Sequence, residues 1–563
     1  MVKEIGNVKL NYEFYKGNDV YSDGEIEDEL LDAVKHGEML DMLYHDSRWP
    51  VLYHFSDIRE NIIEWFPMNG TENVLEIGSG CGAITGILSR KAKKVTCIEL
   101  SEKRSLINAY RNKEHDNINI MIGNFQEIEP CIKEKYDLIT LIGVWEYSAM
   151  YLNSDNPYEE MLKIAHKHLK KNGKIFVAVE NKTGLKYWNG AREDHTGKMY
   201  SGLNDYSDTS CDVRTFSKKE IEQILDKLEM KNRIFYYPNV DYKMPDRIYS
   251  DELLPNPGEI RNFRKDYDGG RIYNFTDAIV ADQVCYDKMF PYFSNSYCFI
   301  IGKFQNEKVI YVKYNKERRK KFRIKTEIKK DFNTNKNIVI KKALNIEAIQ
   351  HIERMKENEK IANNGLENIK TLCGKIVDDS YIVPMVDGIG LDSNFYELRN
   401  DSRKFVLLFK NIITQYLTPN DNKMQKFEVS DKYIKVFGNN IPKYNKCLEK
   451  SNIDLIFSNI KQDKSNKLYC FDAEWCFDFL IPYKFILWRS AEALYLQYFS
   501  NLKSKLSFNE FIKESLDIDA NDAKIYKNME KKFYEYTYGK YNCELYTHRY
   551  KKSVMSSSTK IYG

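Results

Sequence analysis

Three sets of residues in this chain have types and spacings suited to chemistry. In VLEIGSGCGAITGIL, Gly78, Gly80 and Gly82 make a tight turn between a buried strand and a helix. Glycines there let backbone N–H groups approach a ligand closely, and the helix terminus adds partial positive charge. Glu99 ends the next strand-like run, 17 residues after Gly82, where one carboxylate can accept both hydroxyls of a ribose. The loop ENKTGLKYWNGAREDHTG is aromatic, glycine-rich and charged, and offers Glu180, Asn181, Lys186, Tyr187, Glu193, Asp194 and His195 for recognising an acceptor. His195 can act as a base near neutral pH, or serve as a structural hydrogen-bonding group. An acceptor that is already an anion needs no base, and lysine or arginine contacts then matter more. In the third set, Asp454 is followed by Asn459 five residues later and by Asp472 eighteen residues later. One carboxylate can position an acceptor hydroxyl, while the amide and the second carboxylate hold magnesium bridging nucleotide phosphates.

The elements that carry these residues fall into two units. From about 50 to 240, the runs NVLEIG, KVTCIEL, INIMIG, YDLITLIGV and KIFVAVEN alternate with helical stretches, which predicts a mostly parallel sheet with helices on both faces. Such sheets form sites at their carboxyl end, where the charged loop after KIFVAVEN falls. The prolines of PDRIYSDELLPNP and the Pro257-Gly258 pair mark a boundary. A second unit is expected from Phe293, with strands at 296–301, 309–314 and 338–342, a helix at 345–363 and a strand at YIVPMV. Helical patterns dominate from about 400, broken by NIDLIFSNI and KLYCFDAEW, so this unit is α+β. The domain boundaries that follow are 1–245, a bridging segment 246–292, a second domain 293–540 and a tail 541–563.

With 563 residues the chain is too long for one core, and 42% hydrophobic with 30% charged residues fits a folded globular protein. A net charge of +4 provides no global field toward nucleic acid. The one basic run, Lys316 to Lys330, alternates Phe322, Ile324 and Ile328 with polar residues, and reads as a half-buried strand with a solvated charged face rather than an anionic-substrate or membrane patch. Eleven cysteines without a CxxC pair point to a reducing cytoplasm. The start MVKEIGNVKLNYEFY lacks the apolar stretch of a signal peptide, so a soluble protein is expected, with peripheral contact at the inner face of a membrane still open.

Over residues 50 to 240 the successive motifs resemble the class I S-adenosylmethionine-dependent methyltransferases, which implies a Rossmann-like α/β domain. The resemblance places Glu76, Gly78, Gly80 and Gly82 around the methionine end of the cofactor and Glu99 on its ribose. It puts Asn124 and Phe125 beside the adenine, and Gly143 and Glu146 at the end of the fourth strand. WPVLYHFSDIREN looks like the lid helix of such enzymes, with Tyr53, His54 and Arg59 reaching cofactor or acceptor. Residues 293 to 540 resemble, more distantly, the bilobal protein-kinase-like phosphotransferases that act on antibiotics and lipopolysaccharide sugars. By that resemblance Lys341 or Lys342 would contact ATP phosphates, Glu353 or Glu359 would pair with that lysine, and Met385 would sit at the adenine hinge. Asp454 would be catalytic, with Asn459 and Asp472 holding Mg2+. The departures are the missing G-x-G-x-x-G loop, for which only SNSY at 294–297 is available, Asn452 in place of histidine, and DAE at 472–474, where Glu474 can assist the metal. The domain order resembles the bifunctional chain-terminating enzymes of bacterial O-antigen, which phosphorylate a terminal sugar and methylate the phosphate. This implies a glycan or lipid-linked polysaccharide acceptor and other polysaccharide-assembly enzymes as partners. The competing readings are a single methyltransferase whose second half binds glycan without turnover, and an interaction protein using tyrosines such as those of FYEYTYGKYN.

Overall fold

The structure is a computed structural model that describes all residues except 20–21, 208, 210–211, 261–272, 306, 363–365, 445 and 540–563. The tail expected at 541–563 lies outside the described residues. Two N-terminal strands, β1 (Val2–Ile5) and β2 (Val8–Phe14), form a hairpin at one edge. The predicted apolar runs become β3 (Asn73–Ile77), β4 (Lys94–Glu99), β5 (Ile118–Gly123), β6 (Tyr136–Ile142) and β7 (Leu169–Glu180). They pair in parallel, and β2 joins β5 in parallel as well. Strands covered on both faces need no polar side, which is why these sequences read as continuous Val, Ile and Leu.

The sheet continues through β8 (Arg233–Asn239) and β9 (Arg247–Ser250), and β10 (Ser296–Ile301) inserts antiparallel between β7 and β8. All six residues of β10 are buried. This strand was expected to open the second unit, but its two apolar faces demand a central position in a covered sheet. The SNSY turn at 294–297 therefore runs into the first sheet and offers no phosphate loop to the second unit. Residues 246–292 are likewise more than a linker. Besides β9 they hold the helices Asp277–Tyr286 and Phe290–Phe293, whose Ala281, Val284 and Phe290 share one core with Leu75 and Ile139.

The second unit begins with β11 (Glu307–Tyr314), β12 (Ile324–Asp331) and β13 (Lys336–Ala343), followed by the helix Ile349–Asn358. After β14 (Ile369–Thr371) come β15 (Lys375–Val377) and β16 (Ser380–Pro384). The antiparallel order β11-β12-β13-β16-β15 continues the first sheet, because β11 pairs with β9 at Val312–Ile248 and Lys313–Arg247. One fifteen-stranded sheet thus spans both units. β14 instead pairs in parallel with Leu468–Cys470. Beyond it lies a helical lobe whose long members, Ser402–Tyr416, Tyr483–Gln497 and Ala520–Tyr538, enclose Phe405, Phe409, Trp488 and Tyr526.

The basic run has a different role from the one its alternation suggests. Phe322 and Ile324 are buried as expected, yet Lys316 and Lys325 are buried too. Lys316 bonds Glu60 at 3.0 Å, Arg323 bonds Asp57 at 3.0 Å and Lys325 bonds Glu64 at 3.0 Å. The run docks the second unit onto Asp57 and Glu60, inside the predicted lid segment, and onto Glu64 just after it. Breaking a buried pair by removing one partner costs about 3–5 kcal/mol, because the other charge is left uncompensated.

Candidate functional site

The first site is built where β3 and β4 end. Gly78, Gly80 and Gly82 all have positive φ, at 71°, 52° and 76°. A Cβ on Gly78 would lie 2.4 Å from Val144 Cγ2, and one on Gly82 would lie 2.3 Å from Asn108 Oδ1, whereas Gly80 faces open space. The turn is thus packed at both ends and bare in the middle, as a cradle for a ligand must be. Glu99, the last residue of β4, accepts from Gly80 N at 2.7 Å and from Ser101 N at 3.0 Å. Burial raises its pKa. Glu76 is buried below the turn, accepts from Thr85 Oγ1 at 2.6 Å, and is pushed up to about 7 by burial. Ser79 Oγ is buried without a partner.

The other expected cofactor residues line the same cavity, of about 370 Å³. Asn124 caps the short helix Phe125–Ile128 by accepting from Gln126 N at 2.9 Å, and Phe125 packs behind it. Gly143 follows β6 with φ 68°. Arg59 stacks 4.0 Å over the ring of Tyr53 and donates to Tyr53 Oη at 3.2 Å. His54 is bonded to Asp23 at 2.9 Å.

Beyond the cradle the cavity opens onto a charged chamber. Glu146 and Glu180, from the ends of β6 and β7, are fully buried and line it with Asp194, His195 and Lys243. Burial and then Glu180 push Glu146 up to about 8. Burial opposes ionisation of Glu180, but Lys243, which bonds its Oε1, and then His195 hold it well below the usual carboxylate range. His195 Nδ1 lies 3.1 Å from Tyr147 Oη, and its Nε2 lies 3.7 Å from Glu180 Oε2. Burial alone would lower the His195 pKa, but Glu180, Glu146 and Glu193 raise it to about 9. It is therefore a cation at neutral pH and not the free base its sequence position suggests. Lys186 pairs with Asp194 at 3.0 Å and Asp241 at 3.2 Å. Two loop candidates are structural: Asn181 donates to Tyr292 O and Ser294 O, and Glu193 accepts from His195 N and Thr196 N. Sequence reasoning missed Tyr147, Asp241 and Lys243. The only signal was the charged and aromatic stretch DYK after β8.

Residues 52–232 match the profile of a family described as a methyltransferase domain. These residues therefore carry a methyltransferase domain. The chain is similar to ribosomal RNA small subunit methyltransferase A of Mycoplasma mycoides, at 24% identity over 195 residues, 34% of this chain and 64% of that protein. The same-named protein of Mycoplasma capricolum is 25% identical over 185 residues, 32% of this chain and 60% of its own. The chain thus spans less than two thirds of the length of these relatives. Among solved structures it is similar to phosphoethanolamine N-methyltransferase 1 of Haemonchus contortus, at 16% identity, covering 50% of this chain and 48% of that one with a TM-score of 0.28. An S-adenosylmethionine-dependent methyltransferase of Archaeoglobus fulgidus is 12% identical, covering 45% and 96%, with a TM-score of 0.29.

Outside the methyltransferase domain, the third residue set is only partly assembled. Lys341 on β13 is buried and lies 2.5 Å from Asp472 Oδ1. Its neighbour Lys342 is half-exposed beside Asp379, which settles which lysine faces inward. Neither expected helix partner reaches Lys341, since Glu353 is exposed and Glu359 bonds Lys356, Gly374 N and Tyr381 Oη. Asp454 accepts from Trp475 N at 2.9 Å, and burial, then Asp472, push it up to about 7. Asn459 Nδ2 donates to the carbonyl of Asp454 at 3.1 Å, so its amide closes its own loop. Glu474 is not free for a metal: Arg318 and His351 hold it, and its carboxyl stays well below the usual range. Met385 follows β16, half-buried.

Proposed function

We propose that the chain transfers methyl groups from S-adenosylmethionine to an oxygen of a surface glycan, and that its second half phosphorylates that glycan with ATP and magnesium. The observation that carries methyl transfer is the continuity of one cavity from the glycine cradle and Glu99 to the buried carboxylates Glu146 and Glu180. Open space over Gly80 and the unpartnered Ser79 Oγ fit a bound cofactor. When bound, S-adenosylmethionine supplies a methyl group on a positively charged sulfur. Glu99 would hold the ribose hydroxyls, with Asn124 and Phe125 beside the adenine and Glu76 under the methionine end. Tyr53 and Arg59 would close the cavity over both ligands. At the acceptor end, Glu146, raised to about 8, mostly keeps its proton at neutral pH and takes a hydroxyl proton only once ionised. His195 holds Glu180 in place as its charged neighbour.

For the second half, the convergence of Lys341, Asp472 and Asp454 supports phosphoryl transfer. Asp472 would hold magnesium, Lys341 the nucleotide phosphates and Asp454 the acceptor hydroxyl. Asn459 would join the metal only after leaving the Asp454 carbonyl. Such a pair of activities places the protein with polysaccharide-assembly enzymes at the inner face of a membrane. No helix among the described residues is long and apolar enough to cross one. The curated relatives favour a second reading, with small-subunit ribosomal RNA as acceptor. Against it, Lys316, Arg323 and Lys325 of the densest basic run are spent on Glu60, Asp57 and Glu64, which leaves Arg319, Lys320 and Lys321 as its exposed stretch.

Methyl-labelled S-adenosylmethionine, incubated with glycolipid and polysaccharide extracts and with ribosomal subunits, each with and without ATP and magnesium, tests these readings. Label in glycan that requires ATP is the expected result. Label without ATP would leave a lone methyltransferase, with a second half that binds glycan or partners without turnover. Label in ribosomal RNA alone would overturn the glycan reading.

A further inference from the structure

The inner wall of the methyl-acceptor chamber holds more open ligand atoms than methyl transfer to a hydroxyl requires. Glu146 is completely buried, and among the described residues neither of its carboxylate oxygens has a hydrogen-bond partner. Glu180 is equally buried; Lys243 occupies Oε1, while Oε2 makes no hydrogen bond among the described residues and faces His195 Nε2. His195 is oriented by Tyr147 Oη on Nδ1, and its Nε2, whose proton a metal ion would displace, has only the long 3.7 Å ion pair with Glu180 Oε2. The open atoms of these three residues lie within 4.8 Å of one another. A buried polar atom left unpaired costs about 1–3 kcal/mol, and more when charged. Two open oxygens on Glu146, beside a Glu180–His195 pair that is too long for a hydrogen bond, therefore mark a place built for a ligand, not for packing.

Among the described residues, the nearby lysines are engaged elsewhere. Lys186 is paired with Asp194 and Asp241, and Lys243 with Glu180 and Asp194. Neither bonds Glu146. A dication that displaces the protons of Glu146 and His195 would leave the chamber's charge unchanged and give the acceptor oxygen a cationic partner. Two carboxylate oxygens and one imidazole nitrogen suit manganese or zinc. Bonds of about 2.0–2.2 Å to such an ion separate its ligand atoms by roughly 3–4.3 Å, a small side-chain rotation from the observed spread. Tyr147, which holds the far nitrogen of the imidazole, has the place of the outer group that orients a metal-bound histidine.

We infer that Glu146, Glu180 and His195 bind one divalent cation of the manganese or zinc type, which holds the acceptor oxygen in the chamber. The role of the ion rests on the methyltransferase reading; its binding does not. The full-length protein, stripped with chelator, is titrated with Mn2+ while free Mn2+ is followed by electron paramagnetic resonance, and with Zn2+ by calorimetry, both without nucleotide. The expected result is one tightly held ion per chain, weakened at least ~10-fold in Glu146→Gln and in His195→Gln and kept in Asp472→Asn. Melting curves establish that each variant is folded, and either of the first two suffices if the other is not. Absence of binding by both ions, with and without S-adenosylhomocysteine, overturns the inference. So does binding that survives both chamber variants, or that is lost in Asp472→Asn. S-adenosylhomocysteine affinity, measured on the same wild-type sample, separates the two failures: cofactor binding without metal sinks only the metal site, whereas no cofactor binding sinks the methyltransferase reading itself.

Discussion

Removing the Glu99 carboxylate should abolish most cofactor affinity while leaving the chain folded. The side chain is 6% exposed at the end of β4, and its two oxygens already organise the turn by accepting from Gly80 and Ser101. A ribose reaching the bare face over Gly80 would find this carboxylate as its acceptor. Hydrogen bonds to a charged group contribute about 1.5–3 kcal/mol each, so two at the lower figure give about 3 kcal/mol. That corresponds to roughly 100-fold in Kd. Glu99→Ala should therefore bind S-adenosylhomocysteine about 100-fold more weakly by calorimetry. Glu99→Gln, which keeps one acceptor oxygen, should fall between it and the wild type. Ala also strips Gly80 N and Ser101 N of their acceptor, a loss that shows as a lower melting temperature and is read separately. A Glu99→Ala protein that melts cooperatively and binds within threefold of wild type would refute the assignment of the cradle.

Gly78→Ala should destabilise by about 2–3 kcal/mol in urea unfolding, since its Cβ would overlap Val144 at φ 71°, whereas Gly80→Ala, with space around it, should lose only about 1 kcal/mol to backbone strain; equal losses would contradict the packing described. A double-mutant cycle of Lys316→Ala with Glu60→Ala should give a coupling of about 1–3 kcal/mol, and a value near zero would mean that the two units are not held by this pair. Glu492, raised to about 7 by burial and then by Glu530, binds its proton more tightly folded than unfolded, so it costs no stability below the unfolded value near 4.5 and its penalty grows as pH rises through 7. Glu492→Gln should accordingly stabilise the protein at pH 8 and not at pH 4, by melting temperature; the opposite order would refute the sign. ATP with magnesium should raise the melting temperature, and Lys341→Met should remove that shift, whereas a nucleotide shift that persists in the variant would place the nucleotide elsewhere.

The cradle was legible because it is made of backbone: positive φ at three spaced glycines and one acid at the next strand end leave a local signature in a single chain. The chamber was not, because Glu146, Glu180, His195 and Lys243 meet only after β6, β7 and the β8–β9 connection are laid side by side. The strand β10 was misplaced for a related reason. Its apolar pattern was plain, but nothing local says that residues 296–301 turn back beside residues 175–180, more than a hundred positions earlier. The basic run erred in another way, since alternation reports which residues can face a core and says nothing of a charged face meeting an opposite charge. The two surprises have one consequence. A strand inserted into the first sheet, and a basic run locked onto Asp57, Glu60 and Glu64, commit the second unit to the segment that also carries Arg59 at the cavity mouth. Arg318, which holds Glu474 beside the Lys341–Asp472 pair, lies only two residues after Lys316, which holds Glu60. A displacement at Glu474 therefore has a short, ionically anchored path to the segment at the cavity mouth.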